Sequence, residues 1–155
     1  MWSLGWLVAL LAGGALAMAG AVHQILLVRR RARLERAREE FHRRREWLEA
    51  HFWKQAAASG RPRGLAWVEC EFADEVSFAR DRIQGHLHAL VAVTISFEAV
   101  AGGGMEDVPA VKDQRAATAV FRYVGHQWQT EGRTVFNLNP AETIRHFRHE
   151  LEVVE

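Results

Sequence analysis

The chain has 155 residues, of which 49% are hydrophobic and 25% charged, so it has room for one globular domain plus an appended segment but not for a second full domain. Its 12 Gly, 3 Pro and 10% aromatic residues exclude collagen-like and disordered proteins. The net charge of +1 hides an uneven distribution, because residues 4–28 carry no charged side chain, residues 29–63 hold twelve basic and five acidic groups, and residues 64–155 hold eight and fourteen. We therefore predict three parts: an anchor at 1–28, a basic helix and linker at 29–63, and a small domain at 64–155.

The uncharged run at residues 4–28 is long enough to cross a bilayer. At about 1.5 Å per residue, a helix of this length covers a hydrocarbon core of about 30 Å with some tilt. A helix bonds all of its peptide groups internally, so Gly13, Gly14 and Gly20 are tolerated in lipid although they weaken helices in water. The pattern predicts a single transmembrane helix.

Basic residues border this run on one side only, since Arg29, Arg30, Arg31 and Arg33 follow it and no basic side chain precedes it. The positive-inside rule then predicts an amino terminus outside the cell and a carboxy-terminal domain in the cytoplasm. A cleaved signal peptide is the alternative, because the alanines of residues 15–21 offer small-residue cleavage pairs. The charge order favours a retained signal-anchor, because signal peptides carry their basic residues before the apolar stretch.

Two compositional features indicate the compartment. The single cysteine, Cys70, cannot form an intramolecular disulfide, which is typical of a reducing environment. Lys54 and Lys112 are the only lysines among 20 basic residues, which together with the many alanines is typical of a GC-rich bacterial genome. We predict a single-pass protein of a bacterial inner membrane.

Small residues recur at every fourth position of the apolar run, at Gly5, Ala9, Gly13, Ala17 and Ala21. Such a strip lets a second helix approach closely, and so permits a homodimer or a complex with another membrane protein. A segment rich in Ala and Gly also produces such a strip by chance.

Residues 29 to about 58 contain no Gly or Pro and many strong helix formers, which predicts a helix that continues from the anchor and stops at Ser59, Gly60 and Pro62. Its apolar end, with Trp47, Leu48 and Phe52, is expected to pack on the domain that follows.

Nine arginines lie between residues 29 and 45, beside a leaflet that is anionic in bacteria. Lipid headgroups are therefore the expected partners of the membrane-surface residues Arg29, Arg30, Arg31 and Arg33. Nucleic-acid binding is the alternative that names a more specific partner, but glutamates interrupt the arginines and no nucleic-acid-binding motif occurs. No nucleic-acid partner is expected.

Apolar residues alternate with polar ones over residues 67–78, 87–97, 117–123 and 127–137, which predicts four strands. In the first strand Val68, Cys70 and Phe72 are expected to point inward and Trp67 outward. The first two strands should pair as an antiparallel hairpin, and the acidic, proline-containing residues 105–113 are predicted to form an exposed loop.

Asn139, Pro140 and Glu142 have the spacing of a helix cap, a first helical residue and a capping-box partner. The final helix presents Ile144, Phe147 and Leu151 on one side and should cover an apolar sheet face. The predicted fold is α+β, with a transmembrane helix, an arginine-rich helix, a four-stranded antiparallel sheet and a carboxy-terminal helix. This element order loosely resembles cystatin-like and NTF2-like folds, and the resemblance implies no functional residue.

Eight histidines raise the question of a metal site, since His86 and His88 share one strand face and His146 and His149 one helix face. Both pairs are expected on solvated faces, so no metal ligands are predicted. Neither HFRHE nor the glycines 102–104 match the context of a zinc-protease or phosphate-binding motif, and Cys70 is expected to be an inward-facing, protonated thiol. No catalytic residue and no cofactor is predicted.

The sequence thus predicts a membrane-anchored, noncatalytic module that binds a partner protein. The candidate interaction surface comprises Trp67, Trp128 and Asp107, which are expected to be exposed. The alternative is a small-ligand-binding or enzymatic domain with a pocket between the sheet and the helices.

Overall fold

The computed structural model describes residues 2–59 and 64–154, which fall into two compact units, one up to His42 and the other from Arg43 onward. Gly60 and Pro62, predicted as helix-stopping residues, lie outside the described residues. The elements in chain order are α1 (Trp2–Arg43), α2 (Arg45–Ser59), β1 (Leu65–Asp81), β2 (Leu87–Ala99), a 3-10 turn (Pro109–Lys112), β3 (Arg115–Val124), β4 (Gln127–Gln129), β5 (Thr134–Phe136), α3 (Pro140–His146) and β6 (Leu151–Val153).

The first unit consists of α1. Its apolar part makes it long and apolar enough to cross a membrane. The sequence predicted one helix from the anchor to about residue 58, but α1 ends at Arg43 and α2 begins at Arg45. Helix α2 therefore belongs to the second unit, as the first element of the folded domain.

The class is α+β, as predicted, but the sheet has six strands rather than four. The predicted fourth strand, residues 127–137, is divided into β4 and β5, because Gly132 adopts a positive φ of 75° and turns the chain between them. The predicted final helix ends at His146, and Leu151–Val153 instead pairs with Ala79–Asp81 as β6. This pairing buries Leu151. It also provides hydrogen-bond partners for the outer edge of β1 at Ala79–Asp81.

The sheet has the order β4-β3-β2-β1-β6, with β5 beside β3, and the described strand pairs are antiparallel. The predicted β1–β2 hairpin is confirmed, with Phe78 opposite Ala89. Asp81 shapes its turn by accepting hydrogen bonds from the amides of Ile83 and Gln84, at 2.7 and 2.8 Å.

Strand β1 contains two bulges, and the first overturns the predicted orientation of its side chains. Trp67 pairs with Phe97 and Glu69 with Ser96, so Val68 is an extra residue in the ladder. Trp67 therefore lies on the same face as Cys70 and Phe72 and is buried, while Val68 is 52% exposed. The second bulge lies between Phe72 and Val76. Both bulges are set by the pairing of β1 with β2. An alternation of apolar and polar residues along the sequence does not predict them.

Helix α2 covers one face of the sheet, which we call the α2 face. Leu48, Phe52 and Ala56 are buried, whereas Trp47, also expected to pack, is 52% exposed. The Phe52 ring lies 5.7 Å from that of Phe72 and 5.6 Å from that of Phe121. Burial of these aromatic rings is the main favourable term for this layer.

Arginine and glycine residues fix the position of α2. The Arg45 guanidinium pairs with Glu49 at 2.6 Å and donates to the carbonyls of Ala73 and Asp74 in the second bulge. These bonds satisfy carbonyls that the bulge removes from the ladder. At the other end, the Gly132 backbone lies against that of Ala56, where a Cβ atom would come within 2.3 Å of the Ala56 nitrogen.

Helix α3 covers part of the opposite face, which we call the α3 face. A cluster of apolar side chains fills this layer: Ala79, Leu90, Val120, Ile144 and Leu151, with Val135 and Phe147 beside them. The predicted capping box is present, since Asn139 Oδ1 accepts from the Glu142 amide at 2.8 Å and Glu142 Oε2 accepts from the Asn139 amide at 2.9 Å. Where α3 lies on the sheet, strand β2 is therefore covered on both of its faces.

Candidate functional site

Most of the apolar side chains of α1 that the structure describes between Trp6 and Val28 are exposed, and Leu27 is half-buried. Leu11 and Leu16 are 74% and 75% exposed. The arginines that follow, Arg29, Arg30 and Arg31 together with Arg33, are also exposed. The segment presents an apolar surface with a cationic border, and such a surface favours contact with lipid.

The predicted interaction surface does not form as expected. Trp67 is 9% and Trp128 2% exposed, so the expectation that both are exposed is wrong. Trp67 is turned inward by the bulge at Val68, and Trp128 packs 5.1 Å from the Tyr123 ring across the β3–β4 hairpin. Asp107 is exposed in the loop between β2 and β3, where its role in binding stays a prediction.

The histidine pairs also differ from expectation. His146 and His149 are exposed, but His88 is only 6% exposed, because α3 covers the face that the alternation predicted to be wet. Among residues 2–59 and 64–154, no group of three or more His, Cys, Asp or Glu side chains has a geometry that could hold a metal ion.

His88 lies at a small cavity of about 30 Å³ between the α3 face and α3, lined by both polar and apolar side chains. Asp81, Arg133, Thr143 and Glu150 also line it. Burial lowers the pKa of His88, and the Asp81 carboxylate opposes this effect. The cavity is too small for a substrate larger than a few atoms. The lowered pKa favours the neutral form of the buried imidazole.

The glycine-rich turn at residues 102–104 binds an anion from its own chain. The Glu106 carboxylate accepts a hydrogen bond from the Gly102 amide. Hydrogen bonds from backbone amides, those of Glu106 and Gly102 foremost, lower the pKa of Glu106. Glu106 is exposed in the loop predicted at residues 105–113, and its carboxylate occupies the amide that a phosphate-binding turn would leave open.

Cys70 fits its expected role as an apolar group. It is half-buried on the α2 face, and burial, with a smaller contribution from the Glu49 carboxylate, raises the pKa of its thiol to about 12. The thiol is therefore protonated at neutral pH and a poor nucleophile.

A larger cavity, of about 290 Å³, lies on the α2 face beyond the end of α2. Its floor includes Phe97 and Phe136, and the loop between β2 and β3 forms the opposite wall through Met105, Val108 and Val111. Arg115 and Asn137 supply polar groups at its lining. We call this space the loop cavity.

A shallow groove of about 250 Å³ lies on the α3 face where α3 does not cover the sheet. Small side chains form much of its lining, among them Ala73, Ala92 and Thr94. The outer edge of β1 over residues 65–77 has no strand partner in the described part of the chain and carries four exposed carboxylates, Glu69, Glu71, Asp74 and Glu75. Charges and bulges of this kind protect an edge from pairing with other strands.

No family model, no curated protein and no solved structure matches this chain.

Sequence reasoning missed the loop cavity and the buried position of His88. The apolar residues Val108 and Val111 of the loop between β2 and β3 were the available signal for the cavity. His88 carried no such signal, since its burial depends on α3, an element 50 residues away along the chain.

Proposed function

We propose that this chain is a single-pass protein of a bacterial inner membrane that holds a binding domain at the cytoplasmic surface. The observation that carries the proposal is the exposed apolar surface of α1. Among the described residues, nine large apolar side chains between Val8 and Val28 are about half or more exposed, namely Val8, Leu10, Leu11, Leu16, Met18, Val22, Ile25, Leu26 and Val28. A water-exposed helix with such a surface is unfavourable at about 25 cal/mol per Å² of apolar area, and lipid removes that penalty.

The arginines support the orientation in this proposal. Arg29, Arg30, Arg31 and Arg33 follow the apolar segment and are exposed, so each can contribute on the order of 1 kcal/mol of attraction to an anionic leaflet. The positive-inside rule places them, and with them the domain, on the cytoplasmic side. The retained segment also makes the small-residue strip available for a homodimer or another membrane protein.

Membrane extraction tests this proposal. The full chain is expected to stay with the membrane pellet after an alkaline wash and to be released by detergent. A double variant, Leu11→Arg with Leu16→Arg, should shift to the soluble fraction, because each charge costs about 2.5–3.5 kcal/mol near the bilayer centre. Ile83→Arg, at a position 82% exposed in the domain, is the matched control and should stay in the pellet.

Release of the unaltered chain by the alkaline wash would contradict the proposal. Intact-mass measurement decides between an anchor and a signal peptide, since a mature chain that begins after Ala21 would show that the segment is removed.

For the domain we propose a noncatalytic role in partner binding, with the exposed acidic loop at Asp107 as the contact. A photo-crosslinking side chain at residue 107 should capture a defined protein that the same side chain at residue 83, in the exposed β1–β2 turn, does not capture. Equal capture from both positions would contradict a specific contact at the loop.

The alternative is a ligand-binding or enzymatic domain, and the loop cavity is the specific observation that favours it. The cavity is close to the lower limit of about 300–1,000 Å³ for small-molecule sites and is lined mainly by apolar side chains.

A further inference from the structure

We propose that the loop cavity binds a small monocarboxylate with an aromatic or branched aliphatic body. The proposal rests on three observations about the second unit: a preformed apolar space, a cation at its lining, and a loop that is held in place. It does not depend on membrane insertion of α1.

The first observation is the chemistry of the cavity floor. Phe97 and Phe136 have ring centres 6.4 Å apart, and the Trp67 ring lies 5.6 Å from that of Phe97 and 6.4 Å from that of Phe136. Phe136 is 37% exposed although it belongs to this aromatic cluster. Aromatic rings arranged in this way bind the face or edge of another ring, or an alkyl group, by burial and dispersion.

The second observation is the charge of the cavity. Of the described residues that line it, Arg115 is the one that carries a formal charge. In the described part of the chain, no carboxylate forms an ion pair with the Arg115 guanidinium. A guanidinium fork matches a carboxylate with two parallel hydrogen bonds, and the Asn137 side chain beside it offers a further amide.

The third observation is that the start of the loop that forms the opposite wall is held against Gly64. Gly64 and Gly103 approach so closely that a Cβ atom on Gly64 would lie 2.6 Å from the Gly103 oxygen. The Val100 amide donates to the Gly64 carbonyl at 2.8 Å, and Glu106 closes the turn. A ligand therefore enters a space whose shape needs little ordering, which favours affinity.

These observations define the ligand. The volume of about 290 Å³ limits it to a small molecule, the floor selects an apolar body, and the single cation selects one negative charge. A molecule with two charges would leave one of them without a partner against apolar walls.

The test is ligand-observed fluorine NMR on the full chain in nanodiscs of zwitterionic lipid, with para-fluorophenylpropionate as the probe and empty nanodiscs as the blank. The signal should broaden saturably with the chain present. The neutral analogue, para-fluorophenylpropionamide, should bind about fivefold more weakly, as expected for loss of one solvent-accessible ion pair.

Two variants locate the site. Arg115→Gln should weaken binding of the acid about fivefold and remove its advantage over the amide, whereas Arg145→Gln, at an exposed arginine of α3, should change neither. Ala110→Phe should reduce binding of both compounds by filling the cavity, and Ala141→Phe on exposed α3 should not.

Three results would overturn the proposal: broadening no greater than with empty nanodiscs, equal affinity for acid and amide, or unchanged acid binding by Arg115→Gln. Thermal unfolding of each variant, followed by tryptophan fluorescence, separates loss of the site from loss of the fold. Because Arg115 is exposed at the start of β3, its substitution is expected to leave the unfolding midpoint unchanged.

Discussion

Gly132 shows how a single residue determines the packing of α2 on the sheet. It combines a positive φ of 75° with backbone contact to Ala56, so a side chain here is opposed by both conformation and space. The helix cannot move away from Gly132 without disturbing the buried Phe52 and the bonds of Arg45.

Gly132→Ala is predicted to destabilise the second unit by more than about 2 kcal/mol. About 1 kcal/mol comes from the left-handed conformation and the remainder from the backbone clash. Gly85→Ala is the matched control, since Gly85 has a φ of 72° but no atom within 4 Å of its Cβ position. Chemical unfolding of the full chain in detergent micelles gives both values, and equal losses would contradict the packing argument.

The buried His88 makes the stability of the second unit depend on pH. Burial lowers its pKa below the ordinary 6.5, and Asp81, His86, Arg122 and Arg133 are the charged or titratable groups that act on it. The unfolded chain therefore binds a proton at a pH where the folded chain does not. The contribution of His88 to the free energy of unfolding is fully present above about pH 6.5. It decreases as the pH drops toward the folded-state pKa of His88.

His88→Gln is predicted to flatten the decline in stability just below pH 6.5, the ordinary histidine pKa. His149→Gln, at an exposed histidine on the carboxy-terminal side of α3, should leave that decline unchanged. The measurement is the urea midpoint as a function of pH. A decline that is the same in the unaltered chain and in His88→Gln would show that the imidazole does not titrate differently on folding.

Helix α3 is the element whose stability depends most on its cap. It spans only Pro140–His146, so propensity alone would not maintain it. The capping box and the hydrogen bond from Thr143 Oγ1 to Thr118 Oγ1, at 3.2 Å, tie its first turn to the sheet. Thr118 in turn donates to the Leu138 carbonyl at 2.7 Å.

Asn139→Ala is predicted to cost about 1 kcal/mol of folding stability, and Asn139→Ser to cost little, because serine also accepts from the first-turn amides. Far-ultraviolet circular dichroism during urea titration checks both variants. If the alanine and serine variants unfold at the same urea concentration, the cap does not stabilise the domain.

Local signals predicted these elements well. Hydrophobic alternation located β1, β2 and β3, and the spacing of Asn139, Pro140 and Glu142 gave the start of α3. The features that local signals did not predict depend on contacts between residues distant in sequence. The bulge at Val68 is set by pairing with β2, and β6 forms only because β1 offers an open edge to Leu151–Val153. The bulge explains why Trp67 is buried and not exposed as predicted. Trp128 is buried against Tyr123 in its own hairpin and against the Phe78 ring of β1, whose centre lies 6.0 Å away.

For the whole molecule, the strand pattern and the helix signals predicted the α+β class. The site was less predictable, because the loop cavity joins residues from β1, β2, β3, β5 and the loop after β2. Only Val108 and Val111 hinted at it in the sequence.

Cysteine accessibility in spheroplasts shows whether α1 spans the bilayer. With Cys70→Ser as background, Ser3→Cys and His149→Cys are labelled separately with a membrane-impermeant maleimide. Residue 3 is expected to react in intact spheroplasts, and residue 149 only after lysis. Reaction of residue 149 in intact spheroplasts, or protection of both residues until lysis, would contradict this arrangement.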